Sequence, residues 1–249
     1  MLYYIYDGSF EGLLTAIYEA YYRRQQPDEI LSIDDIQENL FIEYVRIPTD
    51  PEKADRVFHS IESKISLKAL RHAFNVYLSE LENRGTLIYQ YLRLGWKVGR
   101  AVDEYLNDNR VFDVHNISRK VSNEAHRMLG LVRFQLLAEN IYYSAIEPDY
   151  NIISLIAPHF AARMADQDWA IHDIRRNLAA LSRNGQYIII PLSNPDFIIL
   201  HPDEKQYQEL WKQYFSKIAI ESRINPRLQR QYMPKRYWKH LIETPSAMK

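Results

Sequence analysis

Apolar and polar positions change period from the first residues onward. Leu2 to Tyr6 is a short Tyr/Ile-rich run closed by Asp7-Gly8, which predicts a strand entering a turn. Ser9 then stands as a helix N-cap. Leu13, Leu14, Ile17, Tyr18 and Tyr21 recur at helical spacing over Phe10 to Tyr22, and Glu11 occupies the first turn, where the helix dipole favours it. Pro27 to Leu40 is acidic and leads into a strand-like run, Leu40 to Ile47. Thr49-Asp50-Pro51 combines a capping residue with proline at the first helical turn, and Ala54, Val57, Phe58, Ile61 and Ile65 continue as an amphipathic helix. Ser66 opens another, with Leu67, Leu70, Phe74, Tyr77, Leu78 and Leu81 on one face until Asn83-Arg84-Gly85. The two are expected to pair as a helical hairpin.

From Thr86 to Leu106 a helical pattern runs through Gly95 and Gly99, and Val114 to Leu129 reads as a long polar-faced helix. The Gly95-x-x-x-Gly99 spacing lacks the Lys-Ser/Thr ending of a phosphate loop, so close helix packing is expected there. Beyond Gly130, Leu131 to Leu137 and Ile141 to Ile146 suggest an antiparallel hairpin. Ile152 to Met164 is helical in pattern. Trp169 to Ile174, Leu178 to Leu181 and Tyr187 to Pro191 read as strands, the last pair joined by Asn184-Gly185, a strong hairpin signal. A final helix, Asp203 to Ile220, carries a bulky stripe of Tyr207, Leu210, Trp211, Tyr214 and Phe215. The expected fold is α+β: a helical bundle packed with an antiparallel β-β-α-β-β sheet unit, behind a short N-terminal strand–helix element. The expected division is an N-terminal α/β region over 1–81 and a second domain over 82–249.

Composition narrows the chemistry. At 249 residues, 47% hydrophobic, with formal net charge −1, the chain is an ordinary folded protein whose total charge names no partner. Only 7 glycines argue against a Rossmann enzyme, and Gly8-x-x-x-Gly12 after the first strand supplies no dinucleotide fingerprint. Without cysteine there is no disulfide, thiolate-bound zinc, Cys nucleophile or self-held iron–sulfur cluster. No cofactor is expected. Met1 to Asp7 lacks a signal peptide's basic and apolar regions, and no apolar run is long enough to span a bilayer, so a cytoplasmic protein is expected.

The neutral total hides an asymmetry: residues 26–63 hold ten acidic and three basic side chains, residues 221–249 two acidic and seven basic. Arg223, Arg227, Arg230, Lys235, Arg236, Tyr237, Trp238 and Lys239 interleave cations with aromatics, which suits phosphate neutralisation and base stacking; a solvated terminal face docked by its aromatics is the plainer alternative. A second basic cluster comprises Arg119, Lys120, His126, Arg127 and Arg133. His159 and Arg163 share a helical face, and His172-Asp173 closes a strand. These histidines, with His126, are candidate acid–base or metal groups, although no spacing specifies three metal ligands and structural pairing is the plainer reading.

Five ordered segments carry a resemblance: Glu124-Ala-His-Arg-Met-Leu-Gly-Leu-Val-Arg-Phe134, Ile146-Glu-Pro-Asp149, Ala157-Pro-His-Phe-Ala161 with Arg163, Trp169-Ala-Ile-His-Asp173, and Met233-Pro-Lys-Arg-Tyr-Trp-Lys239. Together they resemble a bacterial family of DNA-metabolism proteins, the domain of unknown function also appended to some uracil-DNA glycosylase-like proteins. Here it would cover roughly 82 to 243. Tyr4-Ile-Tyr-Asp-Gly-Ser-Phe-Glu-Gly12 resembles the stand-alone members, which accompany a radical-SAM protein of DNA modification or repair. The resemblance transfers no catalytic residues. It implies an accessory role, since cluster-held redox chemistry would fall to a cysteine-bearing partner.

The leading expectation is therefore a DNA-associated accessory protein that presents DNA to a radical-SAM partner. Arg119, Lys120, Arg127, Arg133, Lys235, Arg236 and Lys239 would meet phosphates, with Tyr237 or Trp238 available for stacking, although Trp238 is favoured as a core anchor. One rival is a nucleic-acid- or nucleotide-processing enzyme whose His126, His159, His172 and Asp173 converge. Another is a protein-interaction scaffold without DNA contact, favoured if the basic residues pair internally with acids.

Overall fold

A computed structural model describes residues 1–37, 39–193, 198–218 and 225–243. Arg223, one of the candidate cations, lies outside them. The chain forms two compact units, divided between Ser122 and Asn123.

In the first unit, β1 (Leu2–Tyr6) lies between β2 (Glu29–Ser32) and β3 (Glu43–Arg46), parallel to both. Parallel pairing needs a crossover, and α1 (Phe10–Tyr22) supplies it between β1 and β2. As expected, Ser9 caps this helix, its Oγ accepting from the Gly12 N–H at 2.9 Å. β2 was not expected. Its apolar content is two residues, Ile30 and Leu31, yet both are buried, and the Thr86 Oγ1 accepts the Ile30 N–H at 3.0 Å.

The expected helical hairpin forms from α2 (Pro51–Lys64) and α3 (Leu67–Leu78). α4 (Arg84–Val98), a 3-10 segment (Gly99–Glu104) and α5 (Asn109–Leu131) follow. The core joins Tyr4, Ile17, Ile61, Ile65, Ile88, Tyr91, Leu92 and Val114. α4 and the first turns of α5 share this core, and the compact unit runs to Ser122. The glycines of the Gly95-x-x-x-Gly99 pair divide their work. A Cβ on Gly95 would sit 2.7 Å from Ile65 Cδ1, so close packing holds there as expected; Gly99 is the C-cap that ends the helix, at a positive φ of 68° that glycine adopts readily.

The second unit contains a five-stranded sheet in the order β4 (Gln135–Leu136), β5 (Tyr142–Ile146), β6 (Trp169–Asp173), β7 (Leu178–Arg183), β8 (Gln186–Pro191). It is mixed, which corrects the expected all-antiparallel unit. α6 (Ile153–Arg163) returns the chain so that β6 runs parallel to β5, and the three strands read after the helix all form. The first hairpin is shorter than its pattern, because Leu131 still ends α5. Asn184 and Gly185, both at positive φ, form the expected two-residue turn. α7 (Glu204–Ile218), α8 (Pro226–Tyr232) and a 3-10 segment (Lys235–His240) complete the described chain. The bulky stripe of α7 stays exposed at Tyr207, Leu210, Tyr214 and Phe215. Among the described residues no helix is long and apolar enough to cross a membrane.

Candidate functional site

Two groupings of chemistry-bearing side chains stand out, one in each unit. In the second, the C-terminal arm docks through a buried carboxylate. Glu124, 2% exposed, accepts the backbone N–H groups of Asp149 at 2.9 Å and Tyr150 at 2.8 Å, and the hydroxyl of Tyr237. Arg236 pairs with Asp149 at 2.9 Å, donates to the Tyr237 hydroxyl and lies 4.6 Å from that ring's centre. Lys239 pairs with Glu147 at 2.5 Å and His240 joins it at 3.2 Å. The Lys239 ammonium holds the Glu147 carboxyl below the ordinary carboxylate range. Trp238 is 5% exposed, its indole N–H donating to the Met233 carbonyl. Three of the arm's candidate DNA residues, Arg236, Tyr237 and Lys239, thus have partners inside the protein. Lys235 is exposed and lies over the Trp238 ring.

Arg133 is also engaged. It pairs with Glu243 at 2.5 Å and stacks on Trp211 at 5.4 Å, while the Trp211 N–H donates to the same carboxylate at 3.1 Å. A cavity of about 490 Å³ opens beside them, lined by Phe134, Tyr142, Tyr207 and Trp211. Burial alone would raise the Glu243 carboxyl, but the bonds from Arg133 and Trp211 outweigh it and the net shift is downward. A carboxylate depressed in the folded state contributes stability above its unfolded pKa of about 4.3 and loses it as pH falls through the folded value. The stability gap between the wild type and Arg133→Met, measured by urea unfolding, is therefore expected to narrow on acidification through this range. A gap independent of pH would contradict the assignment.

The acid–base candidates do not form one centre. His126 is exposed on α5 and His159 on α6, the latter beside exposed Arg163. His172 is buried; its Nδ1 meets the Tyr143 hydroxyl at 2.9 Å and its Nε2 the Leu192 carbonyl at 3.0 Å. A carbonyl only accepts, so Nε2 carries the proton and the tyrosine donates to Nδ1. Burial lowers the pKa of this imidazole and keeps it neutral. Asp173 is held by Arg176 at 2.9 Å, and burial raises its carboxyl despite that partner. Alternate strand positions point to opposite faces, which separates these two neighbours.

On α5, Lys120 is exposed and Arg127 half-buried, neither with an acidic partner among the described residues; exposed Arg119 donates to Asn116 at 3.0 Å.

The first unit holds a group that sequence reasoning missed. Among the described residues, only His72, Asp103 and His115 bring three ligand atoms within 4.8 Å of one another. They come from α3, the 3-10 segment after α4, and α5. Asp103 Oδ1 receives the Tyr91 hydroxyl at 2.7 Å and stands 2.7 Å from His115 Nε2, and Lys68 lies 3.4 Å from Oδ2. His72 Nδ1 meets Ser118 Oγ at 2.8 Å, and Asn75 donates to that oxygen and to Ser122 Oγ. Burial, then the facing His115, pushes His72 down to about 4, so its ring is neutral. No short-range spacing announces this group. The available signal was His72-x-x-Asn75, two polar residues one turn apart on α3.

No curated protein matches the chain. A family profile, DUF4130, a domain of unknown function, matches residues 82–243, which includes α4, α5, the whole mixed sheet and the docked arm. Glu124, Glu147, Asp149 and Tyr237 all lie inside the match. The chain therefore belongs to the DUF4130 family.

Proposed function

We propose that the chain is a DNA-associated accessory protein of DNA repair or modification, acting in the cytoplasm and leaving the chemistry to a partner enzyme. The partner we infer, from the resemblance of the opening segment to stand-alone family members, is a radical-SAM protein. The observation that carries the DNA reading is the contrast among the cations. Arg133, Arg236 and Lys239 are each held by a carboxylate, whereas Arg119, Lys120, Arg127 and Lys235 have no acidic partner among the described residues. Cations without internal partners are available to neutralise phosphates and release counterions. Tyr237 is buried, so its part is to hold the arm and not to stack on bases.

The experiment is a fluorescence-anisotropy titration with single- and double-stranded DNA. Arg119→Ala/Lys120→Ala/Arg127→Ala is expected to weaken binding and to flatten the salt dependence by about one unit of slope for each phosphate no longer neutralised. Its thermal stability is expected to stay within about 0.5 kcal/mol per exposed residue of the wild type. Unchanged affinity in this variant would remove the proposed surface. A second reading, a protein-interaction scaffold without DNA contact, is favoured by the internal pairing of Arg133, Arg236 and Lys239 with acids. Absence of DNA binding by the wild type would select it.

A further inference from the structure

We propose that His72, Asp103 and His115 form a binding site for a divalent cation of the zinc class, a site independent of the DNA reading. Two imidazole nitrogens and one carboxylate oxygen are a donor set that such ions favour, and three protein ligands leave coordination positions for water or substrate.

Three features of the geometry point to a cation in place of a closed hydrogen-bond network. First, His72 Nε2 is buried and has no hydrogen-bond partner; it stands 4.0 Å from Asp103 Oδ1, beyond hydrogen-bond reach. A buried, unpartnered ring nitrogen carries a desolvation cost that an ion placed between it and the carboxylate would relieve. Second, the two rings face one another with centres 4.4 Å apart and planes 31° apart, and His115 Nε2 is already turned onto the same carboxylate oxygen. His115 Nε2 and His72 Nε2 thus stand 2.7 and 4.0 Å from Asp103 Oδ1, within reach of a common ion. Third, the outer partners that orient metal-binding groups are in place. Ser118 holds Nδ1 of His72, leaving Nε2 as the ligand atom, and Asn75 fixes Ser118. Tyr91 donates to the carboxylate from the buried side. The side chains of His72, Asp103 and His115 remain 15%, 9% and 20% exposed, which provides an entry path. Lys68 faces Oδ2, so Oδ1 is the coordinating oxygen.

The test uses the full chain, stripped with a chelator and titrated with Zn²⁺ against a chromophoric competitor, and in parallel with Co²⁺. The expected result is one Zn²⁺ per chain and Co²⁺ visible bands of nitrogen–oxygen ligation, both lost in His72→Ala and His115→Ala. Ser118→Ala, which removes only an outer partner, is expected to bind Zn²⁺ about 10-fold more weakly. Exposed His59 and His159 supply the control: His59→Ala/His159→Ala should bind as the wild type does. If either ligand variant fails to fold, the wild type still decides, through Zn²⁺ protection of His72 and His115 from diethylpyrocarbonate. Absence of stoichiometric binding by the wild type, unprotected histidines, or binding that survives in folded ligand variants would overturn the proposal.

Discussion

Glu124→Ala is expected to lower unfolding free energy by about 3–5 kcal/mol, the range for removing one member of a buried, charge-assisted network. The carboxylate satisfies two consecutive backbone N–H groups, those of Asp149 and Tyr150, together with the Tyr237 O–H, and all three donors lose this acceptor when it goes. Burial and this carboxylate both hold the Tyr237 hydroxyl protonated, its pKa far above the ordinary phenol range, so it remains the donor throughout the accessible pH range. Chemical denaturation measures the loss. Limited proteolysis adds a specific sign, early cleavage between Met233 and His240, because the arm is released. A variant within about 1 kcal/mol of the wild type with a protected arm would contradict this account of docking.

Trp238→Ala is expected to be comparably severe, about 3–5 kcal/mol, as for other fully packed aromatic residues. The indole is buried, and its N–H is committed to the Met233 carbonyl at 2.8 Å, so truncation both opens a cavity and removes the donor from a part-buried acceptor. As a stacking platform the same residue would have cost binding and spared stability. Unfolding curves for Trp238→Ala and Trp238→Phe separate the two: the anchor role predicts a large loss for alanine, partly recovered by phenylalanine. A Trp238→Ala protein of unchanged stability and impaired DNA binding would reverse the assignment.

The elements legible in the sequence are those whose signals are local. Ser9, Asp50-Pro51 and Ser66 each mark a helix start that the structure keeps, and Asn184-Gly185 marks its hairpin. What stayed hidden is long-range. β2 presents few apolar side chains and becomes a strand by pairing with β1, while the parallel β5–β6 ladder depends on how α6 returns the chain. The stripe on α7 marks a helix but not its burial, since periodicity identifies an amphipathic face without saying what covers it. The same limit governs the sites. Arg236 and Lys239 read as free cations because their partners, Asp149 and Glu147, lie some ninety residues away in the chain. His72, Asp103 and His115 went unremarked because three separate elements bring them together, whereas His126, His159, His172 and Asp173 drew attention by composition and have separate surroundings.

The most direct measurement of the DNA-binding reading is the salt dependence of wild-type affinity for a duplex, followed by anisotropy from low to physiological ionic strength. Each neutralised phosphate contributes about −0.9 to the slope of log K against log salt. With Arg119, Lys120, Arg127 and Lys235 available, the expected slope is about −3 to −4, and Lys239→Ala, which removes a cation already committed to Glu147, should leave it unchanged. A slope near zero, or one that collapses in Lys239→Ala while persisting in Arg119→Ala/Lys120→Ala/Arg127→Ala, would contradict the account.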